Sequence, residues 1–111
     1  MTERKEHPVA DVKAVFYLPV QDNDGRDLSG EIQDLLAGLW TQWGCWTYHR
    51  LVEGVWRMPD GSRSDDLLQW YSLVLPEEEV SRLEELLRNF KSTTLQESTY
   101  LEIQRVELRL I

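Results

Sequence analysis

The run CWTYHRLVEGVWRMPDGSRSDDLLQWYSLVL, residues 45–75, decides the fold. Two stretches rich in β-branched and aromatic residues flank Pro59-Asp60-Gly61, where proline presets a turn and glycine accepts positive φ. Residues 45–58 and 67–75 are therefore expected to pair as a β-hairpin, with Trp56 packed across it against Trp70 and Tyr71. The turn triplet needs no ligand to explain it, because turn residues between apolar strands follow from backbone geometry alone.

Both flanks of the hairpin read as helices. Upstream, Ile32, Leu35, Leu36, Leu39, Trp40 and Trp43 recur at i, i+3, i+4, i+7, i+8 and i+11, with Ser29 placed as N-cap and Gly44 as the C-terminal stop. Downstream, Pro76 and Glu77-Glu78-Glu79 suit a helix start, since a first turn leaves its N–H groups unpaired and its dipole favours acids. Val80, Leu83, Leu86, Leu87 and Phe90 mark one apolar face, and Glu78/Arg82 and Glu84/Arg88 fall at i, i+4 on the other. AVFYLPV at 14–20 predicts an opening strand closed by the turn-forming QDNDG, and residues 100–111 predict a closing one. The apolar parity of that last strand shifts from Leu101 and Ile103 to Val106, Leu108 and Leu110, which predicts a bulge near Gln104 and Arg105.

The order βαββαβ specifies an α+β domain of ferredoxin-like, split βαβ build. Right-handed crossovers set two helices on one face of a four-stranded antiparallel sheet, with strands one and three central. Residues 13–111 are read as this single domain and residues 1–12 as a flexible N-terminal arm. The central strands carry apolar residues at both parities, Phe16 and Leu18 against Val15 and Tyr17, and Leu73 and Leu75 against Trp70 and Val74. A strand covered on one side alternates apolar with polar, so the second face is expected to be covered too, most simply by another copy of the chain. Tyr17, Trp56, Trp70 and Tyr71 are the residues expected at that homodimer interface, where aromatics are enriched.

The spacing of Gly54, Trp56, Asp60-Gly61 and Asp65-Asp66, followed by Gln96-Glu97 before the last strand, resembles that of a group of small, functionally unassigned bacterial and phage proteins of ferredoxin-like build. These share a G-x-W…D-G…D hairpin and a Q-E or Q-A step into the final strand. The resemblance covers residues 15–110. It implies the fold, and it implies no activity and no catalytic residue.

Composition excludes several function classes. With 20 acidic against 12 basic side chains, a formal charge of −8 opposes binding to phosphate backbones, so nucleic acid is not an expected partner. No apolar run approaches the roughly eighteen residues that cross a bilayer, and the opening MTERKEHPVADVK lacks the apolar stretch of a leader. A cytoplasmic protein without membrane contact is expected. Cys45 is the sole cysteine and has no partner for a disulfide or a CxxC centre, so it reads as a buried, inert thiol. No motif indicates a cofactor.

Candidate chemistry is sparse. Cys45 and His49 lie four apart on a strand, about 13 Å from each other, too far for a catalytic pair. QDNDGRDLSGE aligned on a calcium loop puts Val20 where the first carboxylate must stand, so a tight turn explains it better. Topology is more informative. The β1–α1 loop, the β2–β3 hairpin and the α2–β4 loop meet at one end of the sheet, gathering Asp22, Asp24, Asp27, Asp60, Asp65 and Asp66 into an acidic rim, a solvated surface or a docking site for a basic protein. Three functions follow: a homodimeric interaction or accessory module; a cofactor-independent enzyme or small-ligand binder of dimeric α+β barrel type, its pocket lined by Tyr17, Tyr48, His49 and Tyr71; and an acidic phage-type inhibitor imitating DNA.

Overall fold

Strand β1 (Asp11–Pro19) is the spine of the sheet in the computed structural model, which describes residues 11–96 and 98–111. It pairs antiparallel with β3 (Arg63–Pro76) on one side and with β4 (Tyr100–Arg105) on the other. Strand β2 (Thr47–Arg57) pairs with β3 and completes the order β2-β3-β1-β4. Helices α1 (Ser29–Trp43) and α2 (Val80–Thr93) cover one face, so this is the ferredoxin-like α+β arrangement with strands one and three central.

Strand alternation divides the sheet cleanly. Val12, Ala14, Phe16 and Leu18 are fully buried toward the helices, in register with Leu75, Leu73, Tyr71 and Gln69 of β3. Ile32, Leu35, Leu36 and Leu39 of α1 and Leu83, Leu87 and Phe90 of α2 close over them. Where α1 and α2 touch, Gly38 leaves room for Leu86, whose Cδ2 would lie 3.5 Å from a Cβ at that position. Among the described residues no helix is long and apolar enough to cross a membrane.

Helix ends differ from expectation in ways that local chemistry explains. Helix α1 begins at Ser29 itself, after Leu28, and no side chain caps it; Asp27 accepts from the Ser29 N–H at 3.4 Å and from its hydroxyl. Gly44 ends the helix as expected, at φ 70, with its N–H on the Trp40 carbonyl at 2.9 Å. Trp40 is 67% exposed, because at 100° per residue it stands about 80° from Ile32, off the edge of the buried stripe. Trp43 is half-buried and donates its indole N–H to Glu79 Oε1 at 2.8 Å, tying the end of α1 to the start of α2. Cys45, just past the helix, is exposed and not buried.

The glutamate triplet forms a separate 3-10 turn, Glu77–Glu79, and α2 starts at Val80. Glu78 therefore leaves the α-helical face. Arg82 pairs with Glu85 at 2.9 Å instead of with Glu78, while Glu84 and Arg88 lie 3.5 Å apart as expected. Strand β4 stops at Arg105, whose guanidinium meets Glu77 at 2.5 and 2.8 Å, so the parity change at Val106 marks the end of the strand and not a bulge. The bulge lies in β2, between Tyr48 and Arg50. Strand β1 begins at Asp11, within the span read as an arm, whose residues 1–10 lie outside the described residues.

The hairpin closes through a three-residue loop. Met58 donates to the Ser62 carbonyl at 2.8 Å, Gly61 donates to the Met58 carbonyl at 2.9 Å, and Gly61 sits at φ 87. Asp60 locks the loop by accepting from the Ser62 N–H at 2.9 Å and its hydroxyl at 2.6 Å. β3 begins at Arg63, four residues before the apolar run, because Arg63, Ser64, Asp65 and Asp66 register against Arg57, Trp56, Val55 and Gly54. Pairing with β1 ends at Pro19↔Leu68, so beyond that point β2 and β3 continue as a two-stranded ribbon.

Candidate functional site

The sheet face turned from the helices carries an aromatic row that crosses all four strands. In sheet order, the ring of His49 stacks on Trp70 at 4.3 Å, Trp70 lies 6.5 Å from Tyr17, and Tyr17 lies 4.9 Å from Tyr100. His49 occupies the β2 bulge, and its Nε2 is 2.7 Å from Ser72 Oγ. Val15 and Ser72, in register at the centre of this face, are 5% and 6% exposed. This one chain buries them itself. Among the described residues the Trp70 indole N–H is buried without a hydrogen-bond partner.

At the loop end the row opens into a cleft of about 340 Å³. Tyr17, Pro19 and Leu68 form its floor. One wall is the hairpin, with Trp56, Met58 and Pro59 facing Ser64 and Asp66 of β3. Gln96, Ser98, Thr99 and Tyr100 form the other wall, and Asn23 of the β1–α1 loop closes the end. Three loops thus meet where the topology brings them.

Local sequence shapes each wall. Gly54 faces Asp66, and a Cβ there would lie 2.9 Å from Leu68 Cδ1 and 3.1 Å from Trp56 Nε1. Without that atom, the Trp56 indole folds back onto its own strand and turns into the cleft. The opposite wall leaves α2 through a left-handed residue, Leu95 at φ 58. Its N–H reaches the Ser92 carbonyl at 3.3 Å and the Gln96 N–H reaches the Lys91 carbonyl at 3.0 Å, the paired bonds of a Schellman ending that normally uses glycine. Thr94 Oγ1 adds a 2.7 Å bond to the Phe90 carbonyl. Glu97 lies outside the described residues.

The cleft mixes flat apolar surface with few polar groups. The Asp66 carboxylate accepts from the Ser64 hydroxyl at 3.3 Å, and the Thr99 hydroxyl is buried without a partner among the described residues. Arg57 enters the wall near the tip, but alternation sets it with Arg63 on the other side of the ribbon from Trp56, Ser64 and Asp66.

The expected acidic rim divides by use. Asp22 organises the β1–α1 loop, accepting from the N–H groups of Arg26 (2.8 Å) and Asp24 (2.9 Å) and from the Arg26 guanidinium, and these bonds, led by the Arg26 N–H, hold its carboxyl below the usual range. Arg26 also reaches Glu31 at 2.6 Å and lowers it in the same way. Asp27 holds Ser29, and Asp60 holds the hairpin loop, its carboxyl lowered by the Ser62 hydroxyl and N–H. Asp65 pairs with Arg63 at 2.7 Å. Asp24 is exposed, and Asp66 alone of the six lines the cleft.

The expected pocket residues are split by the sheet. Tyr48 and Tyr71 lie on the helix side with rings 5.3 Å apart, and Trp46 meets Tyr71 edge-on at 6.0 Å. Tyr71 is 4% exposed and stacks on Phe16, so it belongs to the core and not to an open interface. Tyr17 and His49 lie on the other face, with Trp70. The large exposed apolar residues of the ribbon, Leu51, Val55 and Leu67, also point to the helix side, beyond the reach of the helices. Asn23, Ser64, Thr99 and Tyr100 had no motif to mark them; Gly54, Trp56, Asp66 and Gln96 stood in the hairpin-and-QE spacing.

No protein-family model matches the chain, and no functionally curated protein matches its sequence. Its likeness is to solved structures. A phage SAM lyase in complex with S-methyl-5′-thioadenosine superposes with a TM-score of 0.70 at 16% identity, covering 87% of this chain and 82% of that one. CutA1 from Oryza sativa gives 0.67 at 12% identity over 92% and 84%. CutA from Synechococcus elongatus gives 0.61 at 15% identity over 87% and 78%. At these identities the likeness is one of fold.

Proposed function

We propose that the protein binds a small molecule bearing a flat heteroaromatic ring, of the nucleoside class, in the loop-end cleft, as a ligand binder or a cofactor-independent enzyme. The observation that carries this is the cleft itself. Its volume of about 340 Å³ falls within the range of small-molecule sites, and such sites combine apolar walls with a few polar groups. Trp56, Tyr17 and Tyr100 offer ring faces for stacking, while Asp66 and the Thr99 hydroxyl, which has no partner among the described residues, offer directional bonds. A protein of similar fold, the phage SAM lyase, holds S-methyl-5′-thioadenosine, which supports the ligand class. Titration calorimetry with a nucleoside panel tests it. Micromolar to millimolar binding that Trp56→Ala or Asp66→Asn weakens at unchanged melting temperature is the expected result. Equal binding in both variants would place the ligand elsewhere.

A second reading concerns assembly, since the aromatic row gives it a specific footing. The row spans four strands, its Trp70 N–H lacks a partner among the described residues, and its face carries both signs, Lys13 and Arg50 with Asp11, Glu102 and Asp66, in a chain of net charge −8. A second copy laid on this face would meet little repulsion. Light scattering coupled to size-exclusion chromatography is expected to return twice the 13.1 kDa chain mass, and Trp70→Ala to shift it toward the monomer. A monomer at every concentration refutes the self-associating module.

A further inference from the structure

Resting on the nucleoside reading above, we infer that the cleft takes nucleosides that carry no phosphate, and that Asp66 sets this choice. Strand alternation places Asp66 on the same side of the ribbon as Trp56 and Ser64, while Arg57 and Arg63 register on the opposite side. Arg63 is further held by Asp65 at 2.7 Å. Of the two charged residues among the described ones that line the cleft, Asp66 thus shares the face of Trp56 and Ser64, while Arg57 borders it near the tip from the other side of the ribbon.

A carboxylate only accepts hydrogen bonds, and the vicinal hydroxyls of a ribose only need to donate. A ring laid on Trp56 and Tyr17 therefore brings its sugar to a group that fits it. Ser64, which donates to Asp66 at 3.3 Å, occupies one acceptor position and leaves others open. Thr99, whose hydroxyl can donate or accept, answers the ring edge from the far wall.

A phosphate finds the reverse. Phosphate sites rely on helix N-termini, glycine-rich loops or guanidinium groups that supply donors. The wall at Gln96 and Ser98 instead follows the C-terminal end of α2, where the helix dipole is negative. Asp22, Asp24, Asp27 and Asp60 stand on the loops around the same end, against Arg26, which is already engaged by Asp22 and Glu31. A dianion entering here meets the carboxylate of Asp66 on the face of Trp56, with Arg57 and Arg63 registered on the other side of the ribbon.

The test uses the full chain and equilibrium dialysis with adenosine, guanosine, cytidine, uridine and their four 5′-monophosphates. At least one nucleoside is expected to bind, with its monophosphate weaker by about tenfold at low salt, the size expected of a like-charge contact across several ångströms near a surface. That gap should narrow as salt rises. Asp66→Asn should weaken the nucleoside and close most of the gap, and Asp66→Glu should keep the gap. Monophosphates that bind as tightly as their nucleosides overturn the charge selection and leave the cleft standing as a ligand site. A gap that persists in Asp66→Asn overturns the role of Asp66. Binding of none of the eight overturns the nucleoside reading, and this inference with it.

Discussion

Replacing Gly54 with alanine tests how the hairpin builds the cleft. The added Cβ would lie 2.9 Å from Leu68 Cδ1 and 3.1 Å from Trp56 Nε1, both inside the 3.5–4.0 Å of a favourable contact, and 3.5 Å from Trp56 Cε2, at its edge. Leu68 Cδ1, the nearest atom, must shift within a site where Leu68 is only 7% exposed, and the indole of Trp56, 44% exposed, yields with it. Crowding of this kind costs about 1–3 kcal/mol. Against it, alanine in a strand gains roughly 0.5–1 kcal/mol over glycine. The net loss is about 1 kcal/mol, which for a chain of this size lowers the melting temperature by about 4 °C. Circular dichroism reads the melt, and tryptophan emission reads the displacement: a red shift that disappears when the same change is made in a Trp56→Phe background isolates this ring from the other four tryptophans. Ligand affinity should fall with the shift. An alanine variant at least as stable as the parent, with unchanged emission, would refute the packing of Trp56 over Gly54.

Other substitutions probe the backbone and the charges. Leu95→Gly should raise stability by about 1 kcal/mol, because Leu95 holds φ 58 while 85% exposed and thus loses little packing; a lower denaturant midpoint would count against the left-handed helix ending. Gly61→Val should cost about 1–3 kcal/mol through backbone strain alone, since nothing lies within 4 Å of a Cβ there and φ is 87; a melt unchanged from the parent refutes it. Glu79→Ala removes the acceptor of the Trp43 indole and should lower stability by about 1 kcal/mol in a denaturant titration. The carboxyls of Asp22, Asp60, Glu31, Glu77 and Glu102 are all held below their ordinary values of 3.8 and 4.5, by backbone or hydroxyl donors for the aspartates, by arginine for Glu31 and Glu77, and by Tyr100 and Gln104 for Glu102. A depressed folded value stabilises above the unfolded value and loses that contribution as pH falls through the folded one. The melting temperature should therefore hold above about pH 5 and decline below about 4.5; a decline already under way between pH 8 and 6 would contradict this assignment.

The order of elements, the hairpin loop and both apolar helix faces were legible in the sequence because each is written over a short stretch: a period of 3.6 in 32–43 and 80–90, a proline and a glycine around Asp60, and a left-handed stop at Gly44. From that order the sheet topology and the meeting of three loops followed by chain geometry. What the sequence did not carry depends on pairs of residues far apart along it. Tyr71 and Trp70 are neighbours of like composition, and only the register with Phe16 and Tyr17 sends one into the core and the other into the open aromatic row. Trp40 fits the periodic pattern, yet it stands just beyond the arc that the sheet and α2 cover. RSDD after the turn looks like loop, and it is strand because it has Gly54, Val55, Trp56 and Arg57 to pair with. Leu95 gives no sign of a left-handed turn, since the geometry is imposed by the end of α2. The cleft is the clearest case: Gly54 and Trp56 were conspicuous in the sequence, but a cavity is the space left between Tyr17, Asp66 and Thr99 once three separate segments have packed, and local pattern does not encode that space.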